Sequence, residues 1–130
     1  MLNEADRALL QAPNFASLAT SMPDDSPQVS IVWIDVDGDD LLVNTAEGRT
    51  KTLNMRRDPR VAVCLFDRTD PYRQLMLRGR VAGFTHEGAD AHIDALAKKY
   101  KGVDRYEGHR PDQQRVIVRV EVTATHRMGY

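Results

Sequence analysis

The sequence predicts a mainly β (α+β) fold: a six- or seven-stranded antiparallel β-barrel, closed or split, with peripheral helices. Three observations carry this expectation. Short segments of alternating apolar and polar residues recur along the chain, separated by Gly, Pro and Asp turns. Only two stretches after the opening residues carry helical spacing. Most connections between strand segments are too short for a parallel crossover, so neighbours must pair antiparallel, and closure of such a sheet removes its free edges.

Residues 3–11 read as a short helix, with Asn3 at the N-cap, Glu4 and Asp6 in the first turn, and Pro13 as the stop. Phe15 to Thr20 follows as a strand, and Pro23-Asp24-Asp25-Ser26-Pro27 as a turn. From Gln28 to Val36 both faces are largely apolar, as in a strand covered on two sides. Asp37-Gly38-Asp39-Asp40 is a hairpin turn that returns the chain along Leu41 to Thr45. A helix is expected from Arg49 to Arg57, ended by Pro59. Val61 to Phe66 reads as a buried central strand, with Cys64 a small core residue. A turn from Asp67 to Tyr72 precedes a long strand from Arg73 to Phe84. The second long helix is capped by Thr85. It packs Ile93, Leu96, Ala97 and Tyr100 at i, i+3, i+4 and i+7, and Gly102 ends it. His92 falls on its exposed or edge face. After a polar loop at 103–112, Val116, Val118, Val120 and Val122 mark a half-buried strand, and residues 124–128 a short final one.

Length and composition narrow the function. A chain of 130 residues with no repeat or linker fits one domain, residues 1–130. The single cysteine excludes an internal disulfide framework and a multi-cysteine metal site. His86, His92, His109 and His126 lack ligand spacing, so no metal is expected. Ser17, Ser21, Ser26 and Ser30 lack a nucleophile elbow. The longest apolar run, Val61 to Phe66, is far too short for a membrane helix, and acids stand at the start where a signal peptide needs bases. The expected setting is the cytoplasm, with no membrane partner. Eighteen Lys and Arg oppose nineteen Asp and Glu, for a net charge of −1, which argues against nucleic acid.

That balance hides a sharp asymmetry. Residues 21–48 carry seven acids and no base, whereas Arg49, Lys51, Arg56, Arg57 and Arg60 crowd the next twelve positions against Asp58 alone. Either a local anion site or a solvated helix face beside acidic turns accounts for the switch. The segment Asn44-Thr45-Ala46-Glu47-Gly48-Arg49-Thr50-Lys51 runs from a strand end through a small-residue turn into a helix start, a geometry that suits phosphate. Gly48 permits close backbone approach, Thr45 and Thr50 offer hydroxyls, Arg49 a bidentate clamp, and Lys51 a point charge. The spacing is not that of a Walker loop. Trp33 is a candidate cofactor stack or a core residue. Tyr72 and Tyr106 are candidates for the edge of a substrate pocket.

The same segment resembles the phosphate loop of the pyridoxamine 5′-phosphate oxidase-like split barrels, and Arg73-Gln74 resembles their Arg-Gln pair beside the flavin. A nearer resemblance is to the actinobacterial flavin/deazaflavin oxidoreductases of the B type. It rests on Leu42-Val43-Asn44-Thr45, Gly48-Arg49, Lys51, Asn54, Arg57-Asp58-Pro59-Arg60-Val61, Asp70-Pro71-Tyr72-Arg73, Gly79-Arg80-Val81, Tyr100-Lys101-Gly102, Asp104-Arg105-Tyr106 and Arg115-Val116-Ile117-Val118-Arg119. The resemblance spans about residues 10 to 128. It implies an FMN-binding type of split barrel, a homodimer with cofactor sites at the interface, and coenzyme F420, a deazaflavin with a phosphate and an oligoglutamate tail. It implies hydride transfer to a small organic acceptor. Arg49, Thr50 and Lys51 would hold the phosphate, and Asn44 and Thr45 would lie under the cofactor's side chain. Gln74 would sit beside the ring, and the backbone of Val29, Ser30, Ile31, Val32 and Trp33 would bond the ring's pyrimidine edge. No residue stands out as a catalytic acid or base. An FMN-dependent oxidase or reductase of the same fold, or a non-enzymatic protein binding a tetrapyrrole or other cofactor, are the alternatives. The C-terminal Trp/Arg substrate pair of the oxidases is absent, which weakens the oxidase reading.

Overall fold

The computed structural model describes residues 1–130. The elements run α1 (Glu4–Gln11), β1 (Ala16–Ser21), β2 (Pro27–Val32), β3 (Asp35–Asp37), β4 (Asp40–Ala46), α2 (Thr50–Arg57), β5 (Arg60–Asp67), β6 (Asp70–Thr85), α3 (Ala89–Lys101) and β7 (Arg115–Met128). The seven strands form one antiparallel sheet in the order β2-β1-β5-β6-β7-β4-β3. Strands β2 and β3 are its two edges, yet only Trp33 and Ile34 separate them in sequence. Two residues span less than about 10 Å. The sheet has therefore curled until its edges meet, which makes it a split β-barrel. No helix is long and apolar enough to cross a membrane.

Curling requires the long strands to bend. The pairing of β6 with β7 shifts between Arg78 and Gly79 and again between Val81 and Gly83. Bulges of this kind bend and twist a strand. At the first of them a Cβ on Gly79 would lie 2.5 Å from the Glu121 carbonyl oxygen, so only glycine fits there. The concave face then closes on Leu18, Leu41, Val43, Val63, Leu65, Leu75, Val118 and Val120, all buried.

Five local expectations change. The strand expected to run to Val36 stops at Val32, because the chain must cross from one sheet edge to the other. Nor is β2 covered on two sides. Its apolar Val29 and Ile31 are 66% and 65% exposed, while Gln28 and Ser30 are half-buried. Cys64 is exposed rather than core, and Phe66 beside it is 50% exposed. Both belong to the outer sheet face, which α3 covers at β4 and β7 but not at β5. The second long helix begins at Ala89 behind Gly88 (φ +78°), not after Thr85. Phe84 and Thr85 are held in the sheet by Val118 and Ile117, and strand pairing overrides the local cap. Last, β7 is one strand of 14 residues rather than two, since β6 pairs along its whole length.

Helix α1 is fastened by one carboxylate. Asp6 and Asn3 form a reciprocal capping box, with backbone-to-side-chain bonds of 2.9 and 2.8 Å. The same carboxylate accepts Arg127 Nε at 2.8 Å, Arg127 Nη2 at 2.5 Å and the Tyr130 hydroxyl at 2.6 Å. Burial opposes its ionisation, but the bonds from Arg127, Tyr130 and Asn3 outweigh that and hold it at about 2. Replacing Asp6 by Ala leaves Arg127 unpaired and removes the reciprocal half of the α1 capping box, so it should cost about 3 kcal/mol in urea unfolding. Because the folded-state pKa is lowered, the stabilisation is complete above pH about 4 and disappears as pH falls through about 2. An acid titration of the unfolding midpoint should show a smaller loss in Asp6→Ala than in the wild type, the remainder coming from other lowered carboxylates such as Asp35 and Asp58.

Candidate functional site

Helix α2 starts where β4 ends, and its first turn is left open. Gly48 (φ +86°) turns the chain, Arg49 takes the N-cap position, and no side chain caps the helix. The turn is pinned from inside. Buried Thr52 donates to the Ala46 carbonyl at 2.7 Å and lies 3.1 Å from the Thr45 hydroxyl. Thr45 therefore fastens α2 to the sheet and does not face a ligand, contrary to its expected role.

Beside this helix start lies a cleft of about 230 Å³. Ile31, Val32 and Trp33 line it from the end of β2, Asn44 from β4, Arg49 and Lys51 from the α2 start, and Arg115 from β7. Phe15, Ile93 and Tyr106 complete it. Trp33 is the wall: it stacks on Tyr100 at 5.3 Å and 6°, and Tyr106 meets its edge at 6.0 Å and 82°. The stack is itself anchored. The Tyr100 hydroxyl accepts the Ile34 N–H at 3.0 Å and donates to the Asn14 carbonyl at 2.8 Å. Lys99 donates to the Ile34 carbonyl at 2.7 Å and to the Leu10 carbonyl at 2.6 Å; burial pulls its ammonium down to about 8, against the pull of Asp35.

The electrostatics are one-sided. Arg49, Lys51 and Arg115 converge on the cleft, and none has a carboxylate within 4.0 Å. Glu47, in the adjoining turn, is engaged by Arg56 and His86 instead. Burial lowers the Lys51 pKa, and the charges of Arg49 and Arg115 lower it further. Lys51 Nζ finds only the Ser30 hydroxyl, at 3.4 Å. Three cations in a small cleft with no counter-charge are a place for an anion.

The structure thus brings together Ser30, Ile31, Val32, Trp33, Asn44, Arg49 and Lys51. Thr50 is exposed at the helix start and does not line the cleft. Val29 shares its face of β2 with Ile31 but lies two residues further from the cleft, lining a shallow concavity of about 540 Å³ with Cys64, Met76 and His126. Gln74 lies near the start of β6, where it donates to the Pro71 carbonyl at 3.1 Å and pairs with Met128. Within one chain neither residue lines the cleft. Tyr106 edges the cleft as expected, whereas Tyr72 is 76% exposed elsewhere. Arg115 was legible only as part of a recurring motif and not as a site residue. Its signal is a buried arginine opening a valine-rich strand. His92 is not on an exposed face: its side chain is 12% exposed and sits between Asp35 and Asn44.

The family model of pyridoxamine 5′-phosphate oxidase matches residues 2–129. The chain belongs to that family. It is an oxidoreductase family on the split-barrel fold, which binds flavin-type cofactors. Among solved structures, an F420 reductase superposes with a TM-score of 0.84 at 32% identity, over 96% of this chain and 98% of that one. A conserved hypothetical protein from Mycobacterium tuberculosis gives 0.75 at 23% identity, over 98% and 85% of the two chains. A pyridoxamine 5′-phosphate oxidase candidate from Listeria innocua gives 0.73 at 19%, over 95% and 94%. The last two similarities speak to fold alone.

The Trp33 wall can be tested without a ligand. Tyr100→Phe keeps the stack but strands the Ile34 N–H and the Asn14 carbonyl. It should lower stability by about 1–3 kcal/mol in urea, with the native Trp33 emission unchanged.

Proposed function

We propose that this chain is a coenzyme F420-dependent oxidoreductase that moves a hydride between the deazaflavin and a small organic acceptor. The observation that carries the reading is the set of unpaired cations Arg49, Lys51 and Arg115 at an uncapped helix start, against an aromatic wall. The donor set suits such a ligand: the helix start and cations suit a phosphate, and the flat face of Trp33 suits a ring system. The 32% identity to an F420 reductase over nearly the whole chain supports the deazaflavin over FMN.

In this reading Arg49, Lys51 and Arg115 hold the phosphate and the first part of the tail. The strand end at Ile31 to Trp33 presents backbone groups to the ring. When bound, the deazaflavin supplies or accepts the hydride. Trp33, Tyr106 and Phe15 exclude water from the cleft, and the chain's contribution is positioning rather than acid–base chemistry.

The same reading includes a homodimer. Val29, Ile31, Phe66 and Met128 leave exposed apolar surface around the outer concavity, which calls for a cover. Gln74 lies on that outer face, so it can reach a ring in such a cleft only across an interface between two copies.

Trp33 is the only tryptophan, so its emission reports on the cleft. Titration with coenzyme F420, FMN and haem should give saturable quenching by F420 at the lowest concentration. Lys51→Ala should raise the F420 Kd about tenfold. Tight FMN binding without F420 binding would replace the reading with an FMN enzyme of the same fold. Tight F420 binding without turnover of any acceptor would point to a non-enzymatic carrier. For assembly, sedimentation should give the mass of two chains for the wild type and of one for Val29→Arg.

A further inference from the structure

Behind the cleft runs a line of four polar side chains from four different elements. Asp35 Oδ2 on β3 lies 3.0 Å from His92 Nε2 on α3. His92 Nδ1 lies 3.1 Å from Asn44 Nδ2 on β4. Asn44 Oδ1 accepts Arg115 Nε on β7 at 2.9 Å. Asn44 Nδ2 also donates to the Ala89 carbonyl at 2.9 Å.

Only one arrangement of hydrogens satisfies every contact. A guanidinium can only donate, so Asn44 must turn its oxygen to Arg115. The Ala89 carbonyl can only accept, so the Asn44 amide nitrogen must face it, and the second amide hydrogen then points at His92. His92 Nδ1 must therefore accept, which leaves the proton on Nε2, facing Asp35. The Asp35 carboxylate is suited to that task. Burial opposes its ionisation, but the bonds from His92 and the Val36 N–H, with the charge of Lys99, hold it below the usual range.

We infer that His92 is a positioning residue: as the neutral Nε2–H tautomer it fixes the Asn44 amide, and through it the plane in which Arg115 meets an anion in the cleft. His92 does not line the cleft itself. Its effect on a ligand passes entirely through Asn44 and Arg115. Without it the Asn44 amide keeps one anchor instead of two. Arg115 then keeps long contacts to the Gln113 side chain (3.4 Å) and the Asn44 carbonyl (3.5 Å) and a place over the Tyr106 ring (5.3 Å), none of which fixes the direction of its Nε–H. An arginine free to rotate binds an anion more weakly than one held in place.

This inference rests on the cleft being an anion-binding cofactor site, and the experiment separates the two. In the ligand-free protein, long-range nitrogen–proton correlation should show His92 protonated at Nε2, and the Arg115 Nε–H should exchange slowly with solvent. His92→Ala should speed that exchange about tenfold or more. With coenzyme F420 as probe, His92→Ala and Arg115→Ala should each raise Kd about tenfold. The double variant should be no weaker than Arg115→Ala alone, because one effect runs through the other. A merely structural role for His92 would instead multiply the two factors, and that result overturns the inference. So does a proton found on Nδ1. Should His92→Ala fold poorly, Asp35→Asn is the second variant. A carboxamide has one oxygen for both the Val36 N–H and His92, so it should show the same non-additivity with Arg115→Ala on a smaller scale. If the wild type fails to bind F420 while the tautomer and the slow exchange stand, the cofactor reading falls and the positioning of Arg115 by His92 is upheld.

Discussion

Everything in this molecule depends on how the two edges of its sheet are brought together at Trp33 and Ile34. A chain that leaves one edge strand and enters the other within two residues strands the backbone groups of the crossing. Burying them unpaired would cost several kcal/mol. Helix α3 meets that cost with Tyr100 on the Ile34 N–H and Lys99 on the Ile34 carbonyl. The same two side chains reach Asn14 and Leu10, so the split, the loop after α1 and α3 are tied at one point. The aromatic wall of the cleft follows from this closure, since the Tyr100 ring that satisfies the crossing is the ring on which Trp33 stacks. Fold closure and ligand wall are one construction.

The charge at the cleft is the converse case, an arrangement that favours function over stability. Arg49, Lys51 and Arg115 repel one another in a partly desolvated space, and none of them is in an ion pair, although the charge of Asp90 acts on Arg115 from a distance. A protein selected for stability alone would pair them, as it pairs Arg56 with Glu47 or Arg119 with Asp37 and Asp40. The neighbouring acid, Asp35, is spent instead on orienting an imidazole. Such departures from local satisfaction mark sites where a ligand completes the structure.

Much of the fold was legible because local rules and global packing agreed. Asn3 caps α1, Asp37-Gly38 turns β3 into β4, Pro59 follows the end of α2, and Gly102 ends α3 in the left-handed region. Where they disagreed, tertiary structure prevailed. Both faces of β2 and β5 are largely apolar in sequence and read as covered on two sides, but Val29, Ile31 and Cys64 lie on a face that this chain leaves exposed. Thr85 is a sound cap, but ladder pairing with Ile117 keeps it in a strand. In the site, contiguous residues from Asn44 to Lys51 were legible as a strand end, a glycine turn and a helix start. Thr45 was misassigned because its hydroxyl partner, Thr52, emerges only when α2 folds back. Arg115 and His92 were beyond reach for a related reason. Their roles exist only once β7 and α3 lie against β4.

The strand order has a consequence for how the chain acquires its shape. The first half of the sequence contains both ends of the sheet, β2-β1-β5 and β4-β3, but not its middle. These two pieces share no ladder until β6 pairs with β5 on one side and with β7 on the other. Until residues 70–128 join, an emerging chain therefore carries two separate antiparallel fragments with unpaired inner borders. Assembly must bridge long sequence separations, as between Asp6 and Arg127, before the whole becomes cooperative, a topology that slows folding. During synthesis those borders are open to pairing with any other strand, and the two-residue link at Trp33–Ile34 keeps the fragments close enough to find their own middle first.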